Sequence, residues 1–290
     1  MSPDDPFTTG DARPAAARHG GRALVASEIG FVFRRRRTWA MLAALALIPV
    51  LIGVVVRVTS SGPPAGRGPQ FLSQITDNGL FVGLTALVVS IPLFLPLTVG
   101  VVAGDTIAGE AGAGTLRYLL VAPAGRVRLL GVKYIGAAVF CLSAVLAVVV
   151  AGTVIGLILF PVGPVPLLSG ETISVAQSLG RLLLVAAFVC VSLLGMTAIG
   201  LFISTLTDVP VGAMAATIVL AVVSQVLDSL PQLSWLHPWL FSHYWLEFAG
   251  LLRSPISWDA FGANSLLQLG YIAMFGALAY ARFTTKDVLS

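Results

Sequence analysis

Six apolar runs, each long enough to cross a bilayer as a helix, constrain this chain more than anything else in it. They fall near residues 39–58, 80–103, 134–160, 179–204, 211–230 and 263–283. About 20 helical residues are needed to traverse roughly 30 Å of hydrocarbon, and a spanning segment must satisfy its own backbone hydrogen bonds. The runs therefore predict an all-α integral membrane protein with six transmembrane helices. Composition agrees: 57% of the 290 residues are hydrophobic and 10% are charged, with a mean hydropathy of +0.94. A soluble domain would carry about 25% charged residues. The first run is not read as the core of a cleaved leader, because a long polar stretch precedes it and no small-residue cleavage site follows.

Orientation follows from the basic residues. Of the 17 Lys and Arg, 13 fall on one side if the chain is threaded with both termini together. The four on the other side are Arg57, Arg67, Arg181 and Arg253. The side rich in Lys and Arg is cytoplasmic, so both termini and the polar stretch 104–133 are expected there. The formal charge of +4 is small and dispersed, which argues against a nucleic-acid partner.

The connections have distinct characters. Residues 1–20 are rich in Pro, Ala, Gly, Asp and Arg without apolar periodicity, and predict a disordered cytoplasmic tail. Residues 21–37 mix Leu24, Ile29, Phe31, Val32 and Phe33 with charge and end in four arginines, the pattern of a helix lying in the membrane interface. Stretch 104–133 carries Asp105, Glu110, Arg117, Arg126, Arg128 and Lys133 and is expected to face water. Within it Gly109, Gly112 and Gly114 predict loose backbone. Thr115 is then placed to cap a short helix through Leu116, Arg117, Tyr118, Leu119 and Leu120, stopped by Pro123. On the other side, residues 231–262 hold four of the five tryptophans and three prolines, and predict short helices dipping into the outer leaflet before span six.

Several chemistries are disfavoured. All 13 acidic residues can be placed in tails, loops or span ends, so no mid-membrane carboxylate is expected for proton or sodium coupling. There is no phosphate-binding G-x-x-x-x-G-K-[ST] loop, so the chain is not expected to hydrolyse ATP or act as an enzyme by itself. His237 and His243 lack the i, i+4 spacing of a helical metal pair. Cys141 and Cys190 lie in apolar runs, where thiols behave as small hydrophobes.

The charged residues also form an ordered series. Asp105 and Glu110, then Gly114-Thr115-Leu116, then Leu119-Leu120 with Pro123, Arg126 and Lys133, resemble the cytoplasmic signature of the type-two ATP-binding-cassette (ABC) exporter permeases. Glu28 followed by clustered arginines before the first span, and Phe283 with Lys286-Asp287-Val288 at the end, resemble that family's entry and ending. The resemblance covers residues 21–290. It implies a six-span permease domain with an N-terminal interfacial helix, a coupling helix between spans two and three, and re-entrant external helices before span six. Such a subunit sits in the plasma membrane of a bacterium, paired with a second permease copy or a sister permease and with two separate ABC ATPase subunits. ATP and Mg would bind those ATPases, and no cofactor would bind this chain.

The resemblance further implies roles for individual residues. Asp105, Glu110, Thr115, Leu116, Arg117, Leu119 and Leu120 would couple the permease to its ATPase. Spans two and five would line the path, with Thr85, Ser90 and Thr98 from one and Thr217, Ser224 and Gln225 from the other. So apolar a lining suits a hydrophobic or amphiphilic cargo such as a drug, lipid or peptide. Two alternatives stay open: a non-transport membrane scaffold, and a subunit whose ATPase drives import or gating.

Overall fold

A computed structural model describes residues 20–60, 78–114 and 125–285. The elements are α1 (Gly20–Arg34), α2 (Arg36–Ser60), α3 (Phe81–Ser90), α4 (Phe94–Gly112), α5 (Arg126–Leu159), strands β1 (Val165–Pro166) and β2 (Thr172–Ile173), α6 (Val175–Leu206), α7 (Pro210–Asp228) and α8 (Asp259–Thr285). Six of these helices are long and apolar enough to cross a membrane: α2, α4, α5, α6, α7 and α8. They coincide with the six apolar runs, and the architecture is compatible with a multi-pass membrane protein.

α6 occupies the centre, against α4, α5, α7 and α8. About 67% of the span windows of α4 and α6 is buried, against 17% to 33% for the other four, so these two helices form the inside of the bundle. Phe140, Phe188, Leu193, Met196 and Ile199 are fully enclosed there. The outer helices turn apolar side chains outward instead. On α2, Leu47, Leu51, Val55 and Val58 recur at helical spacing and are all exposed, the surface expected of a helix solvated by lipid.

Close packing of α3 and the turn before it against α5 depends on a pattern of small residues. Gly79 and Gly83 face Gly152 and Gly156, two G-x-x-x-G pairs pressed together. A Cβ on Gly79 would stand 2.2 Å from the Gly156 carbonyl oxygen, and one on Gly156 would stand 2.0 Å from that of Gly79. In lipid there is little hydrophobic gain from helix association, so van der Waals contact between backbones takes its place.

Span two departs from the expected 80–103 in both continuity and length. It breaks between Ser90 and Phe94, around Pro92, which has no N–H to donate, while Pro96 sits in the first turn of α4 where none is needed. It then continues to Gly112, so Asp105, Gly109, Glu110 and Gly112 are helical rather than parts of a loose loop. α5 likewise starts at Arg126, eight residues before the expected position, and takes in Arg126, Arg128 and Lys133. At 34 residues it is roughly 51 Å long, well beyond the hydrocarbon thickness.

A short antiparallel hairpin joins spans three and four, pairing Val165 with Ile173 and Pro166 with Thr172, where an all-α chain was expected. Pro161, Pro164 and Pro166 exclude helix there, and the turn closes with Leu167 N–H on Glu171 O at 2.7 Å. The short helices expected in 231–262 occur as four 3₁₀ turns: Pro231–Leu233, His237–Trp239, His243–Leu246 and Phe248–Leu252. They are tied inward. Trp245 Nε1 donates to Ser192 O at 3.0 Å, and Gln268 Nε2 donates to Phe241 O at 3.0 Å. Gln268 and Ser192 are joined through Asn264, a buried polar chain linking α6 and α8.

Candidate functional site

The helix expected in 21–37 ends at Arg34, and α2 begins two residues later, so the four arginines mark an elbow. Thr38 Oγ1 donates to Val32 O at 2.6 Å and Trp39 Nε1 donates to Phe33 O at 2.7 Å. These bonds satisfy carbonyls that the last turn of α1 would leave unpaired. Sealed in this way, the elbow aims Arg35 and Arg37 at α4.

Both arginines meet Asp105. Arg37 Nη2 lies 2.7 Å from Asp105 Oδ2, and Arg35 Nη1 bonds to the same oxygen. One turn further along α4, Glu110 pairs with Lys133 of α5, whose ammonium also holds Glu28 of α1 at 2.9 and 3.0 Å. Phe31 lies between the two groups, its ring centroid 4.4 Å from the Arg35 guanidinium carbon and 5.6 Å from Lys133 Nζ. Three carboxylates and three cations from α1, the elbow, α4 and α5 thus neutralise one another, and Asp105, Glu110 and Lys133 are all buried. This explains why helix persists past residue 103: the charges that sequence reasoning assigned to water have partners inside the protein.

Two details fix the geometry of α4 at this point. Asp105 folds its carboxylate back over Gly109, where a Cβ would lie 2.5 Å from Oδ1. Ser204 of α6 inserts its hydroxyl into the helical ladder, accepting from Ile107 N–H at 3.0 Å and Ala108 N–H at 2.8 Å while donating to Gly104 O at 2.7 Å. A side chain placed inside the i to i−4 ladder is a recognised cause of helix bending.

The expected coupling residues therefore divide. Asp105 and Glu110 are brought together with Lys133, Glu28, Arg35 and Arg37 at one end of the bundle. Glu110 is turned inward onto Lys133 instead of lying in an exposed loop. Thr115, Leu116, Arg117, Leu119 and Leu120 lie outside the described residues, in the link between α4 and α5. Asp105 and Glu110, expected in a loop, instead lie in the C-terminal turns of α4, which ends at Gly112.

Of the six residues expected to line a path, Thr98 and Thr217 are buried with hydroxyls returned to their own helices, Thr98 to Phe94 O and Leu95 O, and Thr217 to Ala213 O. Ser90 is buried at the break in span two, and Thr85 is half-buried on α3. Ser224 and Gln225 reach the opposite, tryptophan-rich end. Ser224 Oγ is 2.6 Å from Ser242 Oγ, and Gln225 lines a cavity of about 330 Å³ with Asp228, His243 and Pro92. His243 Nδ1 is 2.7 Å from Asp228 Oδ1, and the His237 and His243 rings are 6.0 Å apart, a proximity their sequence spacing did not suggest.

Residues 46–289 match a protein family described only as a protein of unknown function, DUF2705. No curated protein matches the chain. The matched region contains Asp105, Glu110 and Lys133 and begins after Glu28, Arg35 and Arg37.

Proposed function

We propose, from the premise that this chain belongs to the DUF2705 family and that the family's description carries no activity, that it is the transmembrane permease subunit of an ABC transporter. It exports a hydrophobic or amphiphilic cargo, and a separate ATPase supplies the energy. The observation that carries this reading is the neutral charge cluster flanking residues 115–124. On one side of that link Asp105 fastens α4 to the elbow, on the other Lys133 fastens α5 to Glu28 of α1, and Glu110 joins α4 to α5 through the same lysine. A displacement of the link would therefore move α1, α4 and α5 as a unit. Loose termini would absorb it.

In this mechanism the link is the cytoplasmic coupling helix, with Thr115 at its start and Leu116, Leu119 and Leu120 as the apolar face set into a groove of the ATPase. Arg117 contributes a polar contact at the rim. Asp105 and Glu110 act behind it, holding the two supporting helices in register. ATP-driven closure of two ATPases favours one arrangement of the link over another, and that difference in binding free energy rocks the permease. The second permease, a copy or a sister, completes the path between spans two and five. Ser204 in the ladder of α4 and the break at Pro92 are the two places where span two can bend.

The test is co-reconstitution with an ABC ATPase that co-purifies with this chain, followed by ATP turnover across a panel of hydrophobic compounds. Arg117→Glu combined with Leu119→Asp should abolish cargo-stimulated turnover while the permease unfolds at its usual midpoint. Unchanged stimulation in that double variant would sink the docking claim.

A further inference from the structure

The tryptophan-rich end of the bundle holds a second cavity, remote from the charge cluster, of about 180 Å³. It lies between the start of α3, the β-hairpin, α6 and the last 3₁₀ turn, with Leu84, Val165, Leu167, Leu182 and Leu252 among its walls. One charged group reaches it. Arg181 is the seventh residue of α6, roughly 9 Å along the helix from its start, the depth at which an arginine stem can lie against apolar surface with its head near polar groups.

The bonding of Arg181 is lopsided. Its Nη1 donates to Leu251 O at 2.6 Å and to Arg253 O at 2.9 Å, while Nε and Nη2 donate to nothing among the described residues. That leaves free the edge of the guanidinium that grips phosphate or carboxylate through two parallel bonds. Neither Arg181 nor the exposed Arg253 has a carboxylate partner among the described residues. Every other buried or half-buried cation described above is neutralised. An apolar cavity whose one charged lining group is an uncompensated arginine with an open fork selects for a ligand with the complementary halves.

We infer that this cavity binds an anionic glycerophospholipid, whose phosphodiester takes the free edge of Arg181 and whose acyl chain enters the space beside Leu84, Leu182 and Leu252. In the orientation proposed above the lipid comes from the outer leaflet, but the site stands on its own geometry and does not depend on the transport reading. Its consequence is that the hairpin and the 3₁₀ segment share one ligand, because Arg181 already clasps the carbonyls of Leu251 and Arg253.

The experiment is native mass spectrometry of the full-length protein released from neutral detergent. Three probes are supplied separately: phosphatidylglycerol, diacylglycerol of the same chains, and inorganic phosphate. The wild type should retain phosphatidylglycerol at least about ten-fold better than diacylglycerol, and millimolar phosphate should not displace it. Arg181→Gln should erase the preference between the two lipids. Ser178→Phe fills the cavity from a half-buried lining position and leaves Arg181 in place, so it should lower retention of both lipids, with the melting temperature confirming that the fold survives. Wild-type retention in Ser178→Phe overturns the inference even if Arg181→Gln fails to fold. Displacement by inorganic phosphate overturns it as well, since the site would then be an anion site without use for the cavity.

Discussion

Replacing Lys133 with Met removes one charge and leaves the stem to pack, so it isolates the electrostatics of the cluster. The lysine side chain is 3% exposed, and its partners Glu28 and Glu110 are 13% and 10% exposed. Without the ammonium, two nearly enclosed carboxylates face each other with no cation between them. Breaking a buried pair by deleting one member costs about 3–5 kcal/mol, because the remaining charge stays desolvated. Taking about 4 kcal/mol gives roughly a thousand-fold fall in the folded-to-unfolded ratio. Unfolding in mixed micelles of rising denaturing-detergent content, followed by tryptophan fluorescence, reads that loss as an earlier midpoint. The triple variant Glu28→Gln, Glu110→Gln, Lys133→Met should recover most of it, since neutralising all members of such a cluster is often nearly free of cost. A wild-type midpoint for Lys133→Met, or a triple variant no better than the single, would refute the reasoning.

Two further substitutions test the packing. Gly156→Ala should destabilise by about 1–3 kcal/mol, because its Cβ would meet the Gly79 carbonyl at 2.0 Å and force α3 from α5. Gly131→Ala, with nothing within 4 Å of the new Cβ in the same helix, should be neutral or slightly stabilising in the same unfolding assay. Gly109→Ala should push the Asp105 carboxylate off Arg35 and Arg37 and cost about 1 kcal/mol, the arginines being partly solvated. In an Asp105→Asn background that cost should shrink, which a double-mutant cycle measures directly.

Spans were legible because each is a long apolar run, and the requirement to enclose backbone hydrogen bonds leaves helix as the answer. Their ends were not. Whether Asp105 can stand inside a helix in the bundle depends on Arg35 and Arg37, 70 and 68 residues away in sequence, and Glu110 depends on Lys133, 23 residues away. A charge read alone looks like a demand for water, and only the folded arrangement supplies the counter-ion. The G-x-x-x-G pairs at Gly79, Gly83 and Gly152, Gly156 are a sequence signal of close helix approach, and they pair the start of span two with span three. Ser204 is different, since nothing local marks one serine of α6 as the group that enters the ladder of α4. The candidate path residues are the polar side chains of the two spans that the resemblance implies line the path, yet Thr98 and Thr217 spend their hydroxyls on their own helices. Arg181 was counted only as one of four cations on the sparse side, because sequence shows neither the cavity beside it nor its unused edge.

The account's central claim is that a separate motor grips the link between α4 and α5. A photo-crosslinking amino acid placed at Leu119, in membranes containing the chain and its ATPase, tests this most directly. The account predicts a crosslinked species joining this chain to the ATPase, with a yield that changes several-fold when a non-hydrolysable ATP analogue is added. Crosslinks to lipid alone, in membranes where the two proteins co-purify, would contradict it.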